Sequence, residues 1–309
     1  MRLIVLISCF LPFAASANSL SLDDALRATY TACVGIDDEL ADLKQMAGIN
    51  TAITSVGTAA GTGATITGLV KANKDKQISV KLEKLREIEQ KSPNIQSTDA
   101  EWDKFESGLT AELASAKIEV EKYQAEIEKL NKQSKSLGNW RTSLMAGATA
   151  TNLAGAIIAG TNQVKGDLET QINNCKQSIQ DLRNAMMQAR MDGTDISEAQ
   201  SIVDACGDFE YSDLSKINTR GRGAAISAGV GTATGLAGTI TSAMANTDTT
   251  RNDNSESGKQ KEKNLNTASN ILAGTTTAAS VTATVFNATQ IKAIKQVVEV
   301  ASKCTGVLK

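Results

Sequence analysis

Apolar and small residues recur three and four positions apart along most of this chain, the spacing of one helix face and not the alternation of a strand. Met46, Ile49, Ile53, Val56, Ala60, Gly63 and Val70 make one such stripe. The cleanest runs through Leu109, Leu113, Ala116, Val120, Tyr123, Ile127, Leu130, Ser134 and Leu137, flanked by Glu and Lys as in a coiled coil. After a predicted phase slip at Gly138-Asn139 it resumes at Leu153, Ile157, Gly160 and Val164, then continues through Leu168, Ile172, Cys175, Ile179, Leu182 and Met186. Two further stripes comprise Ile226, Val230, Ala233, Ala237, Ile240 and Met244, and Ile271, Gly274, Ala278, Val281, Val285 and Ala288. Each is read as an inward-facing helix seam. Before them, Ser21 should cap a short helix with Asp23 and Asp24 in its first turn, and a longer helix should start near Asp37. Ser92-Pro93-Asn94, a tip over 96–108, a turn over 192–195 and a polar loop over 246–263 punctuate the pattern.

Four stretches carry no charge: 45–70, 142–164, 223–247 and 264–291. They are built mostly of Ala, Gly, Thr and Ser, so backbones can approach closely at Gly57, Gly61, Gly147, Gly155, Gly231, Gly235 and Gly274. The two halves echo one another. Cys206 precedes Lys216-Ile217-Asn218-Thr219 as Cys33 precedes Gly48-Ile49-Asn50-Thr51, and Ala273-Gly274-Thr275 matches Ala146-Gly147-Ala148. An internal duplication follows.

A helical hairpin is symmetric about its turn. Cys33 and Cys175 are centred on residue 104, within the predicted tip, and Cys206 and Cys304 on residue 255, within the polar loop. The charge-free stretches share those centres. Two disulfides, Cys33–Cys175 and Cys206–Cys304, are therefore expected. The fold class is all-α: two long antiparallel helical hairpins, 18–195 and 196–309, forming a four-helix bundle. The first hairpin is longer, so a coiled-coil arm over 71–141 should protrude by about 33 Å.

Composition narrows the chemistry. There is no histidine, aromatics are 3%, and 32 Lys+Arg oppose 34 Asp+Glu. No nucleic-acid footprint, small-molecule substrate, cofactor, metal site or nucleophile–base pair emerges, and an enzyme is not expected. Asp37, Asp38, Glu39 and Asp42 read as helix-dipole matching and not calcium ligands. Arg220-Gly221-Arg222 reads as a solvated helix entry, with contact to anionic lipid or an anionic substrate as the other reading. The Asn287-Ala288-Thr289 sequon falls on a buried helix and is discounted. Trp102 and Phe105 are the candidates for partner contact.

Arg2, the apolar run Leu3–Phe13 and Ala15-Ser16-Ala17 read as a signal peptide over 1–17, giving an exported, periplasmic or secreted protein. The expected function is a structural or interaction component of a cell envelope or secreted assembly, with a protein partner or self-association. The alternative is a membrane-inserting, pore-forming helical protein whose spans are the four charge-free stretches, each long enough to cross about 30 Å. The scarcity of large apolar residues argues for the first.

Overall fold

The computed structural model describes residues 20–91, 102–253 and 255–308, and side chains at 20–84, 87, 122–253 and 255–308. Every regular element among them is a helix: α1 Leu22–Cys33, α2 Ile36–Lys91, α3 Trp102–Thr161, α4 Asp167–Met191, α5 Ser197–Glu210, α6 Ser215–Ala245, α7 Asp248–Arg251 and α8 Glu256–Val307. Ser21 caps α1, its side chain accepting from the Asp24 amide at 3.2 Å, and Asp23 and Asp24 face the positive end of the dipole. Gly35, Gly166 and Gly193, at φ +83°, +62° and +75°, turn the chain between α1 and α2, α3 and α4, and α4 and α5.

Several boundaries differ from the sequence reading. The seam was expected to run unbroken past Val164, but the chain bends at 162–166. The polar loop is short, because α7 and the start of α8 occupy most of it. Helix α3 begins at Trp102, inside the predicted tip. It passes Gly138 without a break, and the slip survives only as a four-plus-four spacing of buried Leu130, Ser134 and Gly138. The signal-peptide reading lies outside the described residues, as do the side chains of Trp102 and Phe105.

The chain divides into two compact units, each drawing on both halves of the sequence. The first comprises the described parts of Met1–Asp42, Val164–Leu214 and Lys295–Lys309. It has an ordinary apolar core: Ile36, Leu40, Ile172, Ile179, Leu182, Ile202, Phe209 and Leu308 are all buried. Here the sequence seam is correct in phase. Both disulfides lie in this unit and follow the expected pairing, Cys33–Cys175 joining α1 to α4 and Cys206–Cys304 joining α5 to α8.

The second unit comprises Leu43–Gln163 and Ser215–Ile294. Contacts order its helices. Residues 75, 57 and 54 of α2 meet 134, 151 and 155 of α3, so the two run antiparallel. Residues 220 and 234 of α6 meet 289 and 276 of α8, again antiparallel.

In this unit most of the sequence seams are wrong, although Leu130 and Ser134 of α3 are buried as read. Buried along α2 in this unit are Ala47, Asn50, Thr54, Gly57, Gly61, Ala64 and Lys71, each one position on from Met46, Ile49, Ile53, Val56, Ala60, Gly63 and Val70, together with Gly68. Along α6 they are Ile217, Gly221, Ala224, Ala228, Gly231, Gly235, Gly238, Ser242 and Ala245. Leu153, Ile157, Ile226, Val230, Ile240, Met244, Ile271, Val281 and Val285, all read as inward, are exposed. The helical period was right and the face was not.

Candidate functional site

The second unit has mostly small and polar side chains inside, with Met145 and Ile217 among a few large apolar ones, and most of its large apolar side chains outside. Asn50, Asn152, Asn287 and Gln290 are each 0% exposed, whereas Ile226 is 70%, Ile271 65%, Leu69 61% and Ile157 60% exposed.

The interior is held by close approach and by hydrogen bonds. A Cβ at Gly57 would lie 2.6 Å from Thr151 Oγ1, at Gly155 2.6 Å from Thr54 Cγ2, at Gly231 2.7 Å from Asn152 Nδ2 and at Gly61 2.8 Å from Thr277 Oγ1. The Gly235 position faces Thr149 in the same way. Five of the seven glycines expected to mediate packing therefore do so. Gly147 and Gly274 do not: they sit on outer faces with nothing within 4 Å, because the seam lies on the neighbouring positions.

Side-chain amides bridge helices across this interior. Asn50 donates to Asn287 Oδ1 at 2.9 Å, and Asn152 and Ser280 exchange hydrogen bonds at 2.8 and 3.0 Å. Gln290 donates to the Asn162 and Ile217 carbonyls at 2.8 and 3.3 Å. Sequence reasoning missed all of these. The available signal was an amide at three-and-four spacing from small residues, as in Asn50-Thr54-Gly57 and Asn152-Gly155-Ala159.

At one end of the charge-free stretches stands a buried polar cluster. Arg141 donates to Ser242 Oγ at 2.9 Å, Asn270 Oδ1 at 3.0 Å and Asn266 Oδ1 at 2.9 Å. Lys71 pairs with Asp75 at 2.7 Å and Glu262 at 3.7 Å, Ser134 donates to Asp75, and Arg251 donates to Ser134 at 3.4 Å. Burial pushes the Lys71 ammonium below the ordinary lysine value against the pull of Asp75, and pushes the Glu262 carboxyl up against the pull of Lys71.

Folded Glu262 therefore takes up its proton at a higher pH than the unfolded chain does. Its contribution to stability is present below the ordinary glutamate range and is lost as pH rises through the folded value. Glu262→Gln imitates the protonated form at every pH. Its stability relative to the parent should be greatest at neutral pH and shrink on acidification toward about pH 5. Urea midpoints at the two pH values check this, and a gap that widens on acidification contradicts it.

On the outer faces, hydroxyls are turned back into their own helices. Thr62, Thr241, Thr275 and Thr282 donate to the carbonyls of Thr58, Ala237, Ile271 and Ala278 at 2.9–3.0 Å. Such threonines present methyl groups outward and leave no unsatisfied donor. By length and composition, among the described residues one helix, Lys122–Thr161, is apolar enough to cross a membrane.

The two disulfides fit an oxidising compartment. No protein-family model, curated protein or solved structure matches the chain.

Proposed function

We propose that the chain is an exported, non-enzymatic helical protein whose second unit is embedded in a lipid bilayer as an inside-out four-helix bundle. One observation carries this reading. In α2 a single buried seam runs in one phase from Ile36 and Leu40 into Ala47, Asn50, Thr54, Gly57 and Gly61. In α8 another runs from Ser280, Ala283, Asn287 and Gln290 into Ile294, Val297, Ala301, Cys304 and Leu308. The inner face changes from apolar to small and polar within one continuous helix, at the boundary of the units. A change of solvent explains it: water around the disulfide-bonded unit, hydrocarbon around the other. In lipid, association depends on close packing and interhelical hydrogen bonds and not on hydrophobic burial.

The charge-free stretches are about 30–42 Å long as helices, which matches a bilayer's hydrocarbon core. Trp140, 63% exposed at one edge, fits an interfacial anchor. The apolar surface occurs on all four helices, which suits lipid better than a single protein partner. The close-packed axis argues against a pore through one chain.

The signal peptide supplies export. The same spacing recurs in the inner seams, where Arg141, Met145, Ala148, Asn152, Gly155, Ala159 and Asn162 lie 128 residues before Ser269, Ala273, Thr276, Ser280, Ala283, Asn287 and Gln290. This is one residue off the 127 that separates Ala146-Gly147-Ala148 from Ala273-Gly274-Thr275, so the seams do not themselves carry the duplication. Beyond residue 71, Lys81 pairs with Glu126 and lies 5.4 Å from the Tyr123 ring centre, which fits a paired coiled-coil arm. The role that follows is a membrane-anchored structural or interaction component.

Alkaline carbonate extraction tests the reading. The protein is expected to stay in the membrane pellet, and to leave it only with detergent. Quantitative release by carbonate would overturn lipid embedding and return the apolar faces to a protein partner.

A further inference from the structure

The two edges of the charge-free belt differ in charge. One holds the Lys71–Asp75–Glu262 cluster and the Lys135–Asp248 pair, with both signs present. At the other edge the second unit presents Lys44, Lys216, Arg220, Arg222 and Lys292 and no carboxylate, since 43–74, 129–163, 215–247 and 263–294 contain neither Asp nor Glu. Among the described residues none of these five cations makes an ion pair. Lys216, Arg222 and Lys292 are exposed, and Lys44 and Arg220 half-buried. Asp42 and Asp213, the nearest carboxylates along the chain, belong to the first unit.

Hydrogen bonds set these cations at one height. Gln290 reaches the Ile217 carbonyl, which levels Lys216 with the end of the α8 stretch. Arg220 donates to the Thr289 carbonyl at 2.7 Å. From the Asn50–Asn287 pair, Lys44 is about 9 Å along α2 and Lys292 about 7.5 Å along α8 in the same direction. The cations thus lie within about two turns on α2, α6 and α8, three of the four helices, where the uncharged helix surface ends.

We propose that this edge is a collar for the headgroups of anionic phospholipids. The inference rests on the lipid-embedded reading and adds a preferred lipid class to it. Exposed cations at the limit of an apolar belt lie at the depth of the lipid phosphates, and each attracts an anionic surface independently.

Vesicle flotation tests it, with phosphatidylcholine vesicles against phosphatidylcholine–phosphatidylglycerol vesicles. The collar variant carries Lys44→Gln, Arg222→Gln and Lys292→Gln. A control carries Lys84→Gln, Lys122→Gln and Lys129→Gln, the same change in net charge at sites about 18 Å or more from the belt along α2 and α3. The collar variant should need about 100-fold more anionic lipid for half-maximal flotation. It should match the parent on phosphatidylcholine, and the control should match the parent on both. A collar variant that equals the parent on anionic vesicles, or loses no more than the control, overturns the collar and leaves embedding intact. A parent protein that floats with neither vesicle overturns the embedded reading beneath it.

Discussion

Leucine at Gly61 or at Gly235 is expected to cost about 3 kcal/mol or more of stability each, a fall of roughly 5–10 °C in Tm. At Gly61 a Cβ alone would stand 2.8 Å from Thr277 Oγ1 and 3.3 Å from Thr277 Cα; at Gly235 it would meet Thr149 Oγ1 and stand 3.4 Å from Thr149 Cα. The hydroxyls cannot rotate away freely, because Thr277 donates to the Ala273 carbonyl at 2.9 Å and Thr149 to the Met145 carbonyl at 2.8 Å. Backbone stands behind both. Alanine at Gly147 or Gly274 should act oppositely and stabilise by about 0.5–1 kcal/mol, since those mid-helix positions are open and glycine there only adds unfolded-state entropy. Thermal melts of the detergent-purified variants check both signs. If Gly61→Leu is tolerated while Gly147→Ala destabilises, the inner and outer faces have been assigned the wrong way round.

Arg141→Met should cost about 2–4 kcal/mol, although it replaces a buried charge with an apolar chain of similar length. The guanidinium serves Ser242, Asn266 and Asn270 at once, and the oxygens of the two half-buried asparagines would lose their donor. Ser242 loses less, because it also contacts Thr142 Oγ1 at 2.8 Å. Adding Asn266→Leu and Asn270→Leu to the Arg141→Met variant should recover much of the loss, since removing donor and acceptors together leaves nothing unpaired. Arg141→Lys should not rescue, because one ammonium cannot span three acceptors held by a planar fork. Urea or detergent unfolding of the series measures the coupling. Simple additivity of the three substitutions would contradict the network.

Much of this architecture was legible before the coordinates. Three-and-four spacing located the long helices, Ser21 and Gly193 marked an N-cap and a turn, and hairpin symmetry identified both cysteine pairs. Outside Leu130 and Ser134 of α3, the phase of the seams was legible only in the first unit. There Ile172, Cys175, Ile179 and Leu182 point inward because water surrounds the unit and the largest apolar side chains gain most by leaving it. In the second unit the same rule chose Ile49 over Asn50 and Val56 over Gly57. It failed because the inner positions are filled by what packs closest and bonds best, not by what is most hydrophobic. The amide bridges were invisible for the same reason: an asparagine in a small-residue helix looks like surface until its neighbours are known. The break at 162–166 carried one signal, Gly166, which the continuing apolar spacing through Val164 and Leu168 obscured.

The account depends on which solvent touches Ile157, Ile226 and Ile271. Nitroxide labels at these three positions, in protein reconstituted into vesicles, report it directly through collision with oxygen, which concentrates in hydrocarbon, and with a water-soluble nickel chelate. Lipid embedding predicts strong relaxation by oxygen and little by nickel at all three sites. Strong relaxation by nickel would place those side chains in water, and shielding from both reagents would place them against protein; either result contradicts the inside-out bundle in lipid.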